Sequence, residues 1–333
     1  MTQADSKVYP TPPSLIKTLL AGFDVITNHI WLILFSISLD VLLWFGPQIR
    51  IKSIIQSMLD WMAASADLQS PEIADLMDVN REAMLLIADR FNLVSTMRTF
   101  PIGIPSLMVA RAPVENPLGV APQWQLTSLL AAVAIFFSIL VIGIYFGSLY
   151  FDLLAQVTRD QPVSWRGILQ RSGWKFLQVV LLSFFWLGIL IAASIPLACL
   201  LPFFLLSGSG ISRFILIFYG IVLIWLLLPM FFSPHGIFSE QIPMWKSVVK
   251  GTRLARFALP STGLFILTAI LISQGMDILW NLTRDSSWLA AVSVVGHAFV
   301  VTSLIAASFI YYREANKWLD RMVQLAKISS LKA

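Results

Sequence analysis

Long apolar runs alternate with short polar segments along this chain. Six runs stand out, at about 29–46, 126–151, 177–204, 213–232, 259–280 and 288–311. Each approaches the roughly 20 helical residues needed to cross about 30 Å of hydrocarbon. The pattern predicts an all-α fold, a polytopic membrane helical bundle of six transmembrane helices arranged as three hairpins. Ser207-Gly208-Ser209-Gly210 predicts a tight turn between the third and fourth spans, and Asn281 to Ser287 one between the fifth and sixth. Pro196, Pro202 and Pro229 lie inside runs. They predict bends rather than breaks, because neighbouring helices can re-satisfy the freed carbonyls.

The polar segments divide the chain further. Residues 1–28 are expected to form a cytoplasmic N-terminus and interfacial helix, and 29–46 the first span. Residues 48–124 are expected to form a small helical extracytoplasmic cap with a Pro-rich tether, 126–312 the other five spans, and 313–333 a cytoplasmic amphipathic tail continuing the last span. In the cap, Ile51, Ile54, Ile55, Met58 and Met62 recur at helical spacing. Ser70-Pro71-Glu72 signals a short second helix, and Asn80 is placed to cap a third with Met84, Ile87, Ala88 and Phe91 as its apolar stripe. Pro101, Pro105, Pro113, Pro117 and Pro122 then disfavour helix or central strand from about 99 to 123. The apolar faces of the cap are expected to pack on the bundle or lie in the outer leaflet, with a lid or a partner surface as the alternative.

A repeat runs through the basic segments. Pro13-Ser14-Leu15-Ile16-Lys17 precedes the first span, Pro162-Val163-Ser164-Trp165-Arg166 the third and Pro243-Met244-Trp245-Lys246 the fifth. Proline favours a helix start, and Trp beside Lys or Arg suits the headgroup boundary. Trp165, Arg166, Trp245 and Lys246 are therefore candidate lipid-interface residues. Any inner-leaflet approach selects the same residue types, so the repeat has a plain compositional reading as well.

Composition agrees with a bilayer as solvent: 333 residues, 57% apolar and 12% charged, with a mean hydropathy of +0.79. The net charge of +5 is carried beside the spans, without a dense Lys/Arg run interleaved with aromatics, so lipid headgroups rather than nucleic acid are the expected partner. Arg159, Arg166, Arg171 and Lys175 fall on one side with Lys246, Lys250, Arg253 and Arg256, while the opposite turns carry only Arg213 and Arg284. This asymmetry predicts a multi-pass protein of the cell (inner) membrane with both termini cytoplasmic. The N-terminal segment, which includes Lys7, lacks a small-residue cleavage pattern, so the first run is expected to be retained as a span. Cys199 stands alone, which excludes an intrachain disulfide and a thiolate metal site.

The third basic segment, Glu240 to Phe257, carries Trp245, Lys246, Ser247, Val249, Lys250, Gly251 and Phe257, with Pro234 upstream and Tyr311-Tyr312-Arg313 closing the last span. In these residues the chain resembles six-helix bacterial membrane proteins of poorly characterised function, similar to the membrane domain attached to some glycerophosphodiester phosphodiesterases. The resemblance implies the six-helix plan and a bacterial membrane. The catalytic domain of those phosphodiesterases has no counterpart here.

Ionisable side chains at membrane depth are costly and mark candidate sites. Asp40 lies below the outer end of the first span. Gln274, Asp277, Asn281 and Arg284 follow steps of three, four and three along the fifth, so they share one helical face. His297 lies near mid-depth in the sixth. Asp40, Gln274, Asp277, Asn281 and His297 are thus the candidate intramembrane polar site, able to bind a cation or relay protons in an outward-facing cavity. The competing reading is interhelical glue, with Asp277 neutralised by Arg284 and His297 donating to a carbonyl. Asp152 is expected to reach headgroup water or Arg159, and His29 and His235 to be interfacial. No metalloprotease, nucleophile-elbow, phosphate-loop or dinucleotide-binding motif occurs. The expectation is a non-enzymatic protein without cofactor or metal that organises membrane lipids or another membrane protein. The alternative is a small transporter or permease-like subunit.

Overall fold

The computed structural model describes residues 11–65, 71–159, 162–206 and 211–332. The Ser207–Gly210 turn and Lys7 lie outside the described residues. Helix α1 (Leu15–Asn28) is followed by a single 3-10 turn, Ile30–Leu32, and α2 (Ile33–Phe45). After the cap come α6 (Leu129–Val157), α7 (Trp165–Leu206) and α8 (Ile211–Leu227). The short α9 (His235–Ser239), α10 (Met244–Phe257), α11 (Leu259–Trp280) and α12 (Ala290–Lys332) complete the chain. Among the described residues the fold is all-α apart from four short strands, and five helical stretches are long and apolar enough to cross a membrane, or six if the bent pair Leu15–Asn28 and Ile30–Phe45 counts as one span.

Several elements depart from expectation for local reasons. The approach to the third span and the span itself form one helix of 42 residues, because no proline interrupts it before Pro196. Pro196 and Pro202 sit inside that helix; at Pro229 the α-helix α8 stops at Leu227 and passes into a 3-10 turn, Leu228–Met230, although Phe214–Ser239 remains one stretch long enough to span, as a bend rather than a break requires. The missing N–H and the ring's clash with the preceding turn account for the stop. The last span runs on through the tail as one helix of 43 residues, about 64 Å at 1.5 Å per residue.

The cap opens with β1 (Gln48–Arg50), α3 (Lys52–Ser65) and α4 (Pro71–Arg90). The two helices expected around Asn80 are this single α4: no Gly or Pro separates them, and a mid-helix Asn costs only a few tenths of a kcal/mol. The Pro-rich stretch is more ordered than expected. It holds α5 (Leu107–Arg111), an antiparallel pair of β2 (Glu115–Asn116) with β3 (Gly119–Val120), and β4 (Gln123–Gln125). Strand β4 lies parallel to β1 with Ile49 opposite Trp124, so the first and last residues of the cap hold each other. The amide of Gln48 donates to Pro122 and that of Leu126 to Arg50, extending the pairing at both ends. Lys52–Asp89 (2.8 Å) and Arg81–Asp60 (2.5 Å) join α3 to α4. Of the expected apolar stripes, Met58, Met62, Met84 and Ile87 are exposed, Ile51, Ile54, Ile55 and Phe91 are half-buried, and Ala88 is buried.

The chain forms two compact units. One comprises Ile30–Tyr150 and Gln274–Thr302, and the other Met1–His29, Phe151–Ser273 and Ser303–Ala333. In the second, Tyr311 stacks between Phe265 (4.5 Å) and Phe232 (5.7 Å), and Tyr312 and Phe309 pack on His235. Helix α1 approaches α12 at Gly22, where a Cβ would stand 2.6 Å from both the Cβ of Ala307 and the carbonyl of Ser303. Gly22→Leu is therefore expected to lower stability by about 1–3 kcal/mol. Gly220→Leu, where nothing lies within 4 Å, is expected to leave it unchanged. Thermal unfolding of both variants in detergent checks the contrast, and an unaltered midpoint for Gly22→Leu rules the close approach out.

Candidate functional site

The first candidate, Asp40, is fully buried on α2. Its Oδ1 accepts from the Ser106 hydroxyl (2.5 Å) and the Met108 amide (2.9 Å) at the start of α5. One turn earlier Ser36 donates to the carbonyl of Pro105 (2.6 Å). The polar face of α2 thus fastens the irregular chain of the cap. The same device recurs nearby. Gln48 donates to Pro113 (2.6 Å), Arg50 to the carbonyl of Asp89 (2.6 Å), and Asn116 to Trp44 (3.1 Å), while Asn92 accepts from Ile49 and Val94. Burial pushes the Arg50 guanidinium below its usual range, opposed by Asp89. Lys52 holds the Asp89 carboxyl below its ordinary value through their hydrogen bond.

A second fastening, which sequence reasoning missed, is Arg111 at the end of α5. Its side chain is 5% exposed. Nε donates to Asn281 (3.1 Å), one Nη to Asp285 (2.8 Å), and the other to the Thr283 hydroxyl (2.9 Å) and the carbonyls of Thr283 and Trp280. One guanidinium therefore organises the whole turn between α11 and α12. Asn281, expected in a cation site, is one of its ligands, and its amide donates to the carbonyl of Asp277. The expected Asp277–Arg284 pair does not form: the bridge at this turn is Arg111 to Asp285, and Arg284 lines a groove of about 660 Å³ beside Asp285.

Asp277 instead meets His297, with Oδ1 and Nε2 3.8 Å apart. His297 is buried and its Nδ1 has no hydrogen-bond partner, so the carbonyl bond expected for it is not made. Gln274 is exposed. Arg98 lies within electrostatic reach of Asp40, Asp277 and His297. Arg98 and Arg111 sit in a Pro-rich segment where a charge reads as solvated, which is why their part was not visible from the sequence.

In the other unit, Asp152 meets Lys175 at 2.5 Å with both side chains buried, rather than water or Arg159. Arg159 donates to the carbonyl of Ser239 (3.0 Å). His235 is enclosed by Phe232, Phe309 and Tyr312 and bonds Ser308 at 2.8 Å, so it is a core residue and not an interfacial one. Of the lipid-interface candidates, Trp165 (55%) and Trp245 (60%) are exposed, as are Arg166 and Lys246. Comparison with protein-family models, curated proteins and solved structures finds no match for this chain.

Two substitutions separate these fastenings. Asp40→Ala strands the Ser106 hydroxyl and Met108 amide and is expected to cost roughly 2–4 kcal/mol, while Asp40→Asn, which keeps an acceptor oxygen, costs less. Arg111→Ala is expected to cost on the order of 3 kcal/mol, and Arg111→Lys nearly as much, because an ammonium cannot reach Asn281, Thr283 and Asp285 together. Unfolding midpoints in detergent give the ranking. Equal midpoints for Asp40→Ala and the unaltered protein would contradict it.

Proposed function

We propose that this is a six-span protein of the bacterial inner membrane, with both termini cytoplasmic, that acts without catalysis by gathering anionic lipids and a membrane partner at its basic interfacial segments. Helix α10 carries the reading. Its buried face, Ser247, Val248, Gly251, Leu254 and Ala255, packs on the chain around Ser233. Ser247 donates to the Ser233 carbonyl (2.5 Å), and a Cβ at Gly251 would meet the Phe232–Ser233 backbone at about 3 Å. The opposite face leaves Trp245, Lys246, Val249, Arg253 and Phe257 exposed. Apolar and cationic side chains sharing an exposed face suit a headgroup boundary, where each finds its own solvent. The start of α7, with Trp165 and Arg166 exposed, has the same composition.

Extraction of the protein with a belt of native lipid tests this reading. The retained lipid is expected to be enriched severalfold in phosphatidylglycerol over the bulk membrane. Replacing Trp165, Arg166, Trp245 and Lys246 together by Ala is expected to return it to the bulk composition. Bulk composition around the unaltered protein would sink the proposal.

A second reading, a small permease-like subunit, rests on Asp277 and His297 at 3.8 Å with Arg98 in reach of both. Vesicles holding the protein and a trapped pH dye would then acidify faster than empty ones, and His297→Ala would abolish the difference. Equal rates with and without protein remove this reading.

A further inference from the structure

A pocket of about 220 Å³ opens where α6 ends and α7 begins, lined among others by Gln156, Arg159, Ser164, Arg171, Lys175 and Gln241. Three cations converge there, and Lys175 feels the like charges of both Arg171 and Arg159. Among the described residues a single carboxylate, Asp152, is bonded to any of them, through Lys175. Glu240, next to Gln241, is committed to Lys250 at 2.7 Å. The arginines are held by neutral acceptors: Arg159 by the carbonyls of Ala155 and Ser239, both at 3.0 Å, and Arg171 by the Gln241 side chain at 2.7 Å. Those bonds fix the guanidinium groups without neutralising them.

Donors remain in surplus. Lys175 is 3% exposed yet lines the pocket, and its ammonium has three N–H groups, of which Asp152 takes one. Each arginine likewise keeps N–H groups that these bonds do not use. The first turn of α7 adds the positive end of a long helix at the same place, with Ser164 and Gly167 on the pocket wall. Held like charges with unspent donors call for an anion. The volume falls below the roughly 300–1,000 Å³ of small-molecule sites, leaving room for a phosphate group and a few waters. Trp165, exposed beside Ser164, sets the pocket at headgroup level in the reading above, and basic pockets at the ends of spans take anionic headgroups.

We propose that Arg159, Arg171 and Lys175 bind the phosphate of one anionic glycerophospholipid per chain, Lys175 holding it from beneath and the two guanidinium groups from the sides. This rests on the lipid-gathering reading and gives it a single built site. The test uses the full chain, purified in neutral detergent and stripped of lipid. It is titrated separately with phosphatidylglycerol, phosphatidylcholine of the same chains and inorganic phosphate, and adducts are counted by native mass spectrometry. One phosphatidylglycerol is expected to bind at least tenfold more tightly than phosphatidylcholine. Arg159→Gln with Arg171→Gln removes that preference, and Lys317→Gln, at an exposed position on α12, retains it. If the double variant does not fold, Arg171→Gln alone, at an exposed position, is expected to weaken the adduct at least threefold. Undiminished binding by a folded variant overturns the site, and so does inorganic phosphate binding as tightly as the lipid. If the unaltered chain forms no one-to-one adduct while enrichment in the extracted belt is intact, this proposal alone falls. If it shows neither, the broader reading falls too.

Discussion

A carbonyl or amide withdrawn from water and left unpaired costs on the order of 1–3 kcal/mol, and within hydrocarbon no solvent relieves it. The segment from Phe91 to Gln125 presents many such groups, because its prolines deny it a long helix. Its course is set by where partners can be found. Ser36 and Asp40 offer them from α2, and Gln48, Arg50, Asn92, Ser106 and Asn116 offer them from the cap itself, all buried. The polar residues of this unit are thus mainly main-chain partners. Against these stand contacts in which side chains answer each other, the Arg111–Asp285 bridge and the Asp277–His297 pair among them.

The other unit meets the same requirement with aromatic packing and a few long side chains. Arg313, in the Tyr311-Tyr312-Arg313 run, bonds the end of α6 at Thr158, and Gln178 accepts from the first amide of α10. Trp186 reaches Ser233, which Ser247 also bonds. Of the residues that suggested a family likeness, Ser247 and Gly251 hold α10 against Phe232 and Ser233 and Tyr311 packs on Phe232 and Phe265, while Trp245 and Lys246 remain on the exposed side. A motif of this kind mixes positions kept for packing with positions free to meet lipid.

Hydrophobic length was the readable part of this sequence. The run 259–280 coincides with α11, and the run at 126 begins within three residues of α6. Periodicity also located α3, whose Met58 and Met62 lie outward while Ile51, Ile54 and Ile55 are half-buried. The candidate residues were found as types and not as partners. Asp40 serves the backbone of α5 66 residues or more away, and Arg111 serves a turn about 170 residues further on. No local pattern encodes pairings over such separations. The Asp152–Lys175 pair was within reach of sequence reasoning, since it joins the end of one apolar run to the start of the next.

Arg111 also fixes an order of events. Its partners Asn281, Thr283 and Asp285 are made some 170 residues later than Arg111 itself. At about 5–20 residues per second of synthesis, roughly 10–35 s pass before they exist. During that interval α5 has only its ties to α2, and the guanidinium must stay hydrated. The last hairpin therefore acts as a latch on a part of the molecule built long before it. A chain halted before Trp280 would carry a cap already shaped by β1, β4 and α2 but not yet locked, and the final turn to emerge is the one that completes it.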